Sequence, residues 1–226
     1  MRKLAAALIA LGVIALIALC GVAYVGVAQI PVLSAVFGMD KARDLGVVAD
    51  NTGWEKLVTD NGVVLSSPRA NYTLSSKHTF SGTINYSGTV SEAVLAALPE
   101  MNANVGPIRD VSFRIHAGSI EVAAFADLSS YGYPIAGPVY GTFNVTRTGP
   151  HSISLDPKTV DFGHLPVPAD MSSKVKDGLN SWINGRLATI PELKIDTLTL
   201  NEGSITFAGT LPKTYGADVA KTGDLP

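Results

Sequence analysis

Hydrophobic and polar positions divide the chain into zones of different period. Arg2 and Lys3 precede an unbroken apolar run, Leu4 to Ala28, and the next charge is Asp40. That run exceeds the about 20 residues that a helix needs to cross a bilayer core, so it predicts a transmembrane helix. Apolar sequence continues from Ile30 to Phe37 past Pro31, which implies a kinked exit toward the interface. Asp50 or Thr52 is placed to cap a short helix through Trp54, Leu57 and Val58, which Asn61-Gly62 stops. From Tyr72 to Val90 the period falls to two, with Thr79, Ser81, Thr83 and Asn85 opposite Phe80, Ile84 and Tyr86. Such alternation reads as a strand with one face on a core and one in water.

Ser91-Glu92 then opens a helix carrying Val94, Leu95, Leu98 and Met101, which Pro99 shortens or kinks. Three hairpins follow. Their turns fall at His116-Ala117-Gly118-Ser119, Arg147-Thr148-Gly149-Pro150 and Asn201-Glu202-Gly203, where glycine supplies the positive φ of a short loop. The first and last look alike, since Asp110 to Ile115 then Gly118-Ser119-Ile120 parallels Asp196 to Leu200 then Gly203-Ser204-Ile205. A helix followed by a hairpin is therefore used twice. The second helix, capped by Asp170 or Ser172, aligns Val175, Leu179, Trp182, Ile183 and Leu187 in one stripe, with Gly178 and Gly185 leaving room for a strand. From Lys213 periodicity is lost and a flexible tail, residues 213–226, is expected.

The fold class expected is α+β: an N-terminal transmembrane helix, then a curved antiparallel β-sheet packed on one long and one shorter amphipathic helix. Residues 1–39 form a signal-anchor, and residues 40–212 an extracytoplasmic domain. Basic residues before the run and mixed charges after it put the N-terminus in the cytoplasm and the domain outside the cell membrane. Cleavage after Gly26-Val27-Ala28 is the main alternative, although secretory apolar regions are shorter, about 7–15 residues. Lipidation at Cys20 is a third, against which the bulky Leu19 stands. Cys20 is the one cysteine, so the exported domain folds without a disulfide.

The net charge of −2, with 16% charged residues and no run of either sign, excludes the electrostatic footprint of a nucleic-acid binder. His78, His116, His151 and His164 are isolated, which argues against a zinc site, and there is no G-x-S-x-G elbow or phosphate-cradling GxxxxGK[ST] loop. No cofactor and no catalytic activity are expected. Three N-x-[ST] acceptors, at Asn71, Asn85 and Asn144, are close to chance frequency in a chain so rich in serine and threonine.

Asp44-Leu45-Gly46-Val47, Thr89-Val90-Ser91-Glu92, Phe162-Gly163-His164-Leu165-Pro166-Val167-Pro168, and Glu202-Gly203-Ser204-Ile205 ending in Gly209-Thr210-Leu211-Pro212 resemble the YpmS-like group of bacterial membrane-anchored envelope proteins. They are more distantly similar to the LmeA-like phospholipid-binding periplasmic proteins. The resemblance covers most of residues 40–212 and rests on structural punctuation. It implies a curved sheet wrapped on a long helix with lipid held between them, and it brings no catalytic residues.

The function expected is that of a single-pass protein, anchored in the lipid bilayer through residues 4–28, which binds a lipid or other apolar ligand between sheet and helix. Leu179, Trp182, Ile183 and Phe207 are its expected lining. An apolar cleft with few polar groups fits such a ligand. The alternative is a non-enzymatic scaffold of the cell envelope that meets a protein partner through the Tyr131-Gly132-Tyr133-Pro134 loop or the sheet's edge.

Overall fold

The computed structural model describes residues 34, 38–72, 76–98, 108–127, 129 and 136–218. Of the expected anchor, residues 1–39, residues 1–33 and 35–37 lie outside them, as do Met101 and the Tyr131–Pro134 loop. Among the described residues no helix is long and apolar enough to cross a membrane. The elements in chain order are α1 (Asn51–Asp60), β1 (Val64–Leu65), β2 (Lys77–Ser91), α2 (Glu92–Ala96), β3 (Ile108–His116), β4 (Ser119–Asp127), β5 (Ala136–Gly149), β6 (Ser152–Phe162), β7 (Leu165–Pro166), α3 (Ala169–Ala188), β8 (Lys194–Asn201) and β9 (Ser204–Asp218). The fold is α+β and mostly antiparallel, but it has two sheets where one was expected. β9 is the spine of the first, paired along its length with β2 and on its other side with β8 and, in parallel, β1. The second is the meander β3-β4-β5-β6-β7.

Local signals set several boundaries. Asp50 caps α1 by accepting from Gly53 N–H at 2.8 Å, and Ser91 caps α2 by accepting from Val94 N–H at 3.3 Å. α3 departs from expectation. It starts at Pro168 with no side-chain cap, because the proline carbonyl itself takes Met171 N–H and Ser172 N–H while Ser172 Oγ turns back to Val167 O. The chain from Lys213 is also corrected: residues 213–218 complete β9, held by the start of β2 on one side and by β1 on the other.

The repeat seen in the sequence is structural. β3–β4 and β8–β9 both turn over a left-handed glycine, Gly118 at φ +75° and Gly203 at φ +67°, and both carry one extra residue in their first strand. They meet head to head through reciprocal bonds. Gly118 N–H donates to Leu200 O at 3.1 Å, and Gly203 N–H donates to Ile115 O at 2.9 Å. The third strands match as well, since Val145 N–H of β5 bonds Gly118 O just as Glu92 N–H, directly after β2, bonds Gly203 O. Strand, helix and hairpin therefore occur twice, related by a pseudo-two-fold, and each copy's strand pairs with the other copy's hairpin. Such a contact is self-complementary in the manner of an isologous dimer interface. Equivalent residues build the core, where Phe113, Ile115 and Ile120 pack with Leu198, Leu200 and Ile205.

The second copy has an insertion, β6–β7, and the longer helix. α3 lies along the outer edge of β6 and satisfies its backbone with two asparagines. Asn184 accepts from Ile153 N–H at 3.0 Å and donates to Ile153 O at 2.9 Å; Asn180 does the same to Leu155 at 2.7 and 3.0 Å. Four helical residues rise about 6 Å and two strand residues about 6.7 Å, so an i, i+4 pair on a helix matches an i, i+2 pair on a strand. β7 continues the cover at Asp161 and Phe162.

Candidate functional site

β2 and β9 make a ribbon about 50 Å long at strand rise. Its period-two pattern gives a polar face of Thr79, Ser81, Thr83, Asn85, Ser87 and Thr89, all exposed, and an opposite face that registers Phe80 with Tyr215, Ile84 with Leu211, Tyr86 with Gly209, Gly88 with Phe207 and Val90 with Ile205. One end of the apolar face is closed by aromatic packing. Phe80 stacks on Tyr215 at 5.3 Å, and Tyr72, 1% exposed, donates from its hydroxyl to Tyr215 O at 2.8 Å. The other end, with Val90 and Ile205, runs toward the core. Between them Ile84, Tyr86, Phe207 and Leu211 are all half-buried.

In this middle stretch two glycines make room for two rings. A Cβ on Gly88 would stand 2.7 Å from Tyr86 Oη, and one on Gly209 would stand 3.1 Å from Phe207 Cζ. Each ring thus folds down over the glycine two residues further along its own strand, and the two rings lie 6.1 Å apart across the ribbon. Aromatic cover of strand glycines also helps pin register. Gly209 is required for a second reason, because a Cβ there would collide with the carbonyl oxygen of Lys194 at the β8 bulge. The outcome is an apolar floor with the Tyr86 hydroxyl at its margin. Burial pushes its pKa up, so it stays a neutral phenol.

The four residues expected to line a site are distributed differently. Phe207 is in the floor. Leu179 and Ile183 are half-buried on α3, which packs principally on β6 of the other sheet. Trp182 is 51% exposed, with the Arg186 guanidinium 5.8 Å from its ring, since the inward side of α3 is set by Asn180 and Asn184 docking on β6. Among the described residues no strand approaches Gly178 or Gly185 either, for none lies within 4 Å of a Cβ built at either. Ile84, Tyr86 and Leu211 are additions to the expected lining. Their signal was an aromatic two residues before a glycine on two strands, Tyr86-Ser87-Gly88 and Phe207-Ala208-Gly209, which shows as one surface only once β2 and β9 are paired.

A polar cluster lies elsewhere. His116 Nδ1 is 3.0 Å from Glu202 Oε1 and its Nε2 is 3.6 Å from Glu121 Oε1, which also accepts from the Tyr140 hydroxyl at 3.1 Å. The two carboxylates address opposite nitrogens of the ring and cannot converge on one ion. Among the described residues no group of three His, Cys, Asp or Glu could hold a metal. The cluster ties the β3–β4 turn to the β8–β9 turn. Asp156 and Asp161 are both within β6, where Asp156 pairs with Lys176 of α3 at 2.5 Å.

No protein-family model, curated protein or solved structure matches the chain.

Proposed function

We propose that the chain is a membrane-anchored, extracytoplasmic, non-enzymatic protein that holds a lipid or similar apolar molecule on the open face of the β2–β9 ribbon. The observation that carries this reading is the floor of Ile84, Tyr86, Phe207 and Leu211, apolar and half-buried between an aromatic end and the core. Burying further apolar area there gains about 25 cal/mol per Å2, a drive suited to an acyl chain lying along strands. Scarcity of polar groups argues for orientation by shape, with the Tyr86 hydroxyl as a directing atom. The apolar run Leu4–Ala28 supplies the tether that keeps such a binder beside its source of ligand.

Photo-crosslinking of the full chain with a diazirine-bearing fatty acid, followed by peptide mapping, tests this reading. Labels on the Ile84–Tyr86 and Phe207–Leu211 peptides, reduced by Phe207→Lys, are the expected result. Labelling confined to residues 4–28 would overturn it.

A further inference from the structure

Between Thr79 and Ser91 on β2 and between Ser204 and Ala217 on β9, one residue carries a charge, Lys213. Its place on the ribbon is not the one that a need for water alone would choose. Thr206, Thr210 and Thr214 take the polar face of β9, opposite Thr89, Asn85 and Ser81. Lys213 has the other parity, with Leu211 and Tyr215 two residues to either side, so it rises on the apolar face between the aromatic end and the floor. Opposite it, where the ladder passes from Ser81–Thr214 to Thr83–Pro212, stands Gly82 at φ +63°. A Cβ on Gly82 would be 3.3 Å from Lys213 Cβ and 3.9 Å from its Cδ, so the lysine stem lies against the glycine, across the ribbon. Such a stem covers apolar surface while its ammonium stays in reach of water or an anion. Lys213 is exposed and joins none of the ion pairs among the described residues.

We infer that Lys213 is the head-group partner of the floor and that the ligand is a long-chain carboxylate, its head on the ammonium and its chain over Leu211, Ile84, Tyr86 and Phe207. The inference rests on the lipid reading above and names the class of lipid. Length agrees with it. Six residues of strand from Phe207 to Lys213 span about 20 Å, and one leaflet of a bilayer core, the reach of an acyl chain, is about 15 Å. Charge and width agree too, since one cation meets one anionic head, and a track one residue pair wide, on strands about 4.8 Å apart, carries a single chain. Direction follows from the stack of Phe80 on Tyr215, which closes the face just beyond Lys213 and leaves a chain held there only the way toward Phe207.

Photo-crosslinking of the full chain in phosphatidylcholine nanodiscs at about pH 8, where carboxylic acids are ionised, tests it with two probes of equal length, a diazirine-bearing fatty acid and the corresponding alcohol. At limiting probe the acid should label the 77–91 and 204–218 peptides about two- to fivefold more than the alcohol, the range of a partly screened ion pair. Lys213→Gln should bring the acid down to the level of the alcohol while leaving the alcohol and the melting temperature unchanged, and Lys213→Arg should keep the preference. Equal labelling by the two probes in wild type overturns the inference and leaves the lipid reading standing. So does a preference that survives Lys213→Gln, above all if that variant aggregates, which would assign the lysine to guarding the strand. Failure of both probes to label the ribbon overturns the inference and the lipid reading together.

Discussion

The two pseudo-symmetric halves start from the same three-stranded unit and end in different environments. In the half built on β3, β4 and β5, the ring of Phe143 covers Gly141 and is itself buried at 6%, with Val160 of β6 buried beside it at 7%. In the half built on β8, β9 and β2, the equivalent Gly88 is covered by Tyr86, which stays half-exposed, and no residue of β2 is buried. One insertion accounts for the contrast. β6, β7 and the long α3 give β5 a neighbour, where the five-residue α2 leaves β2 with none among the described strands. An amphipathic strand pattern states which face wants cover; whether cover arrives depends on what the chain places next to it.

Truncation inside the shared core should bring the largest change. Ile115→Ala and Leu200→Ala occupy equivalent positions, so each should cost about 2–5 kcal/mol, and a cost near zero for either by chemical denaturation would break the equivalence. Glycine substitutions sharpen the contrast between the halves. Gly209→Ala drives a methyl into Lys194 O and should cost about 1–3 kcal/mol, whereas Gly178→Ala, in open space on α3, should raise stability by about 1 kcal/mol in thermal melts. Next comes the edge seal. Asn184→Ala leaves the Ile153 N–H and C=O unanswered and should cost about 1–3 kcal/mol, with hydrogen exchange quickening first at Ile153 and Leu155.

The smallest effect is on the alkaline side. Lys176 binds its proton more tightly than usual because Asp156 accepts a hydrogen bond from it and attracts its charge, and Tyr86 does so because burial disfavours the phenolate. In both, the folded chain holds a proton that the unfolded chain releases sooner. Stability is therefore complete below the ordinary values of 10.0 and 10.5 and falls as pH rises through the raised ones. Lys176 is exposed, so water screens its share. Tyr86→Phe should flatten the loss above about pH 10, measured by melting temperature.

Much of this architecture is legible in the residues. Ser91 and Asp50 cap helices because a side-chain oxygen at that position satisfies an otherwise orphaned N–H. Gly118 and Gly203 close hairpins because their backbones turn left-handed. The repeat is visible because both copies need the same residues at the same turn. The Leu179–Trp182–Ile183 stripe predicts an α3 orientation decided by burial, whereas two asparagines dock the helix on β6. Asn180 and Asn184 look like ordinary surface residues until a strand edge of matching pitch lies beside them. Likewise the segment from Lys213 has no periodicity of its own, yet pairing on both sides makes residues 213–218 a strand.

The sequence by itself determined the local elements, the twofold use of helix and hairpin, and which face of each strand is apolar, since these follow from caps, turn glycines and side-chain period within a few residues. Only the tertiary structure decided that β2 crosses the chain to β9, that Tyr86 and Phe207 form one floor, and that α3 seals β6. Each of those joins segments far apart in the chain, where no local preference reports the partner and backbone hydrogen bonding with shape chooses it.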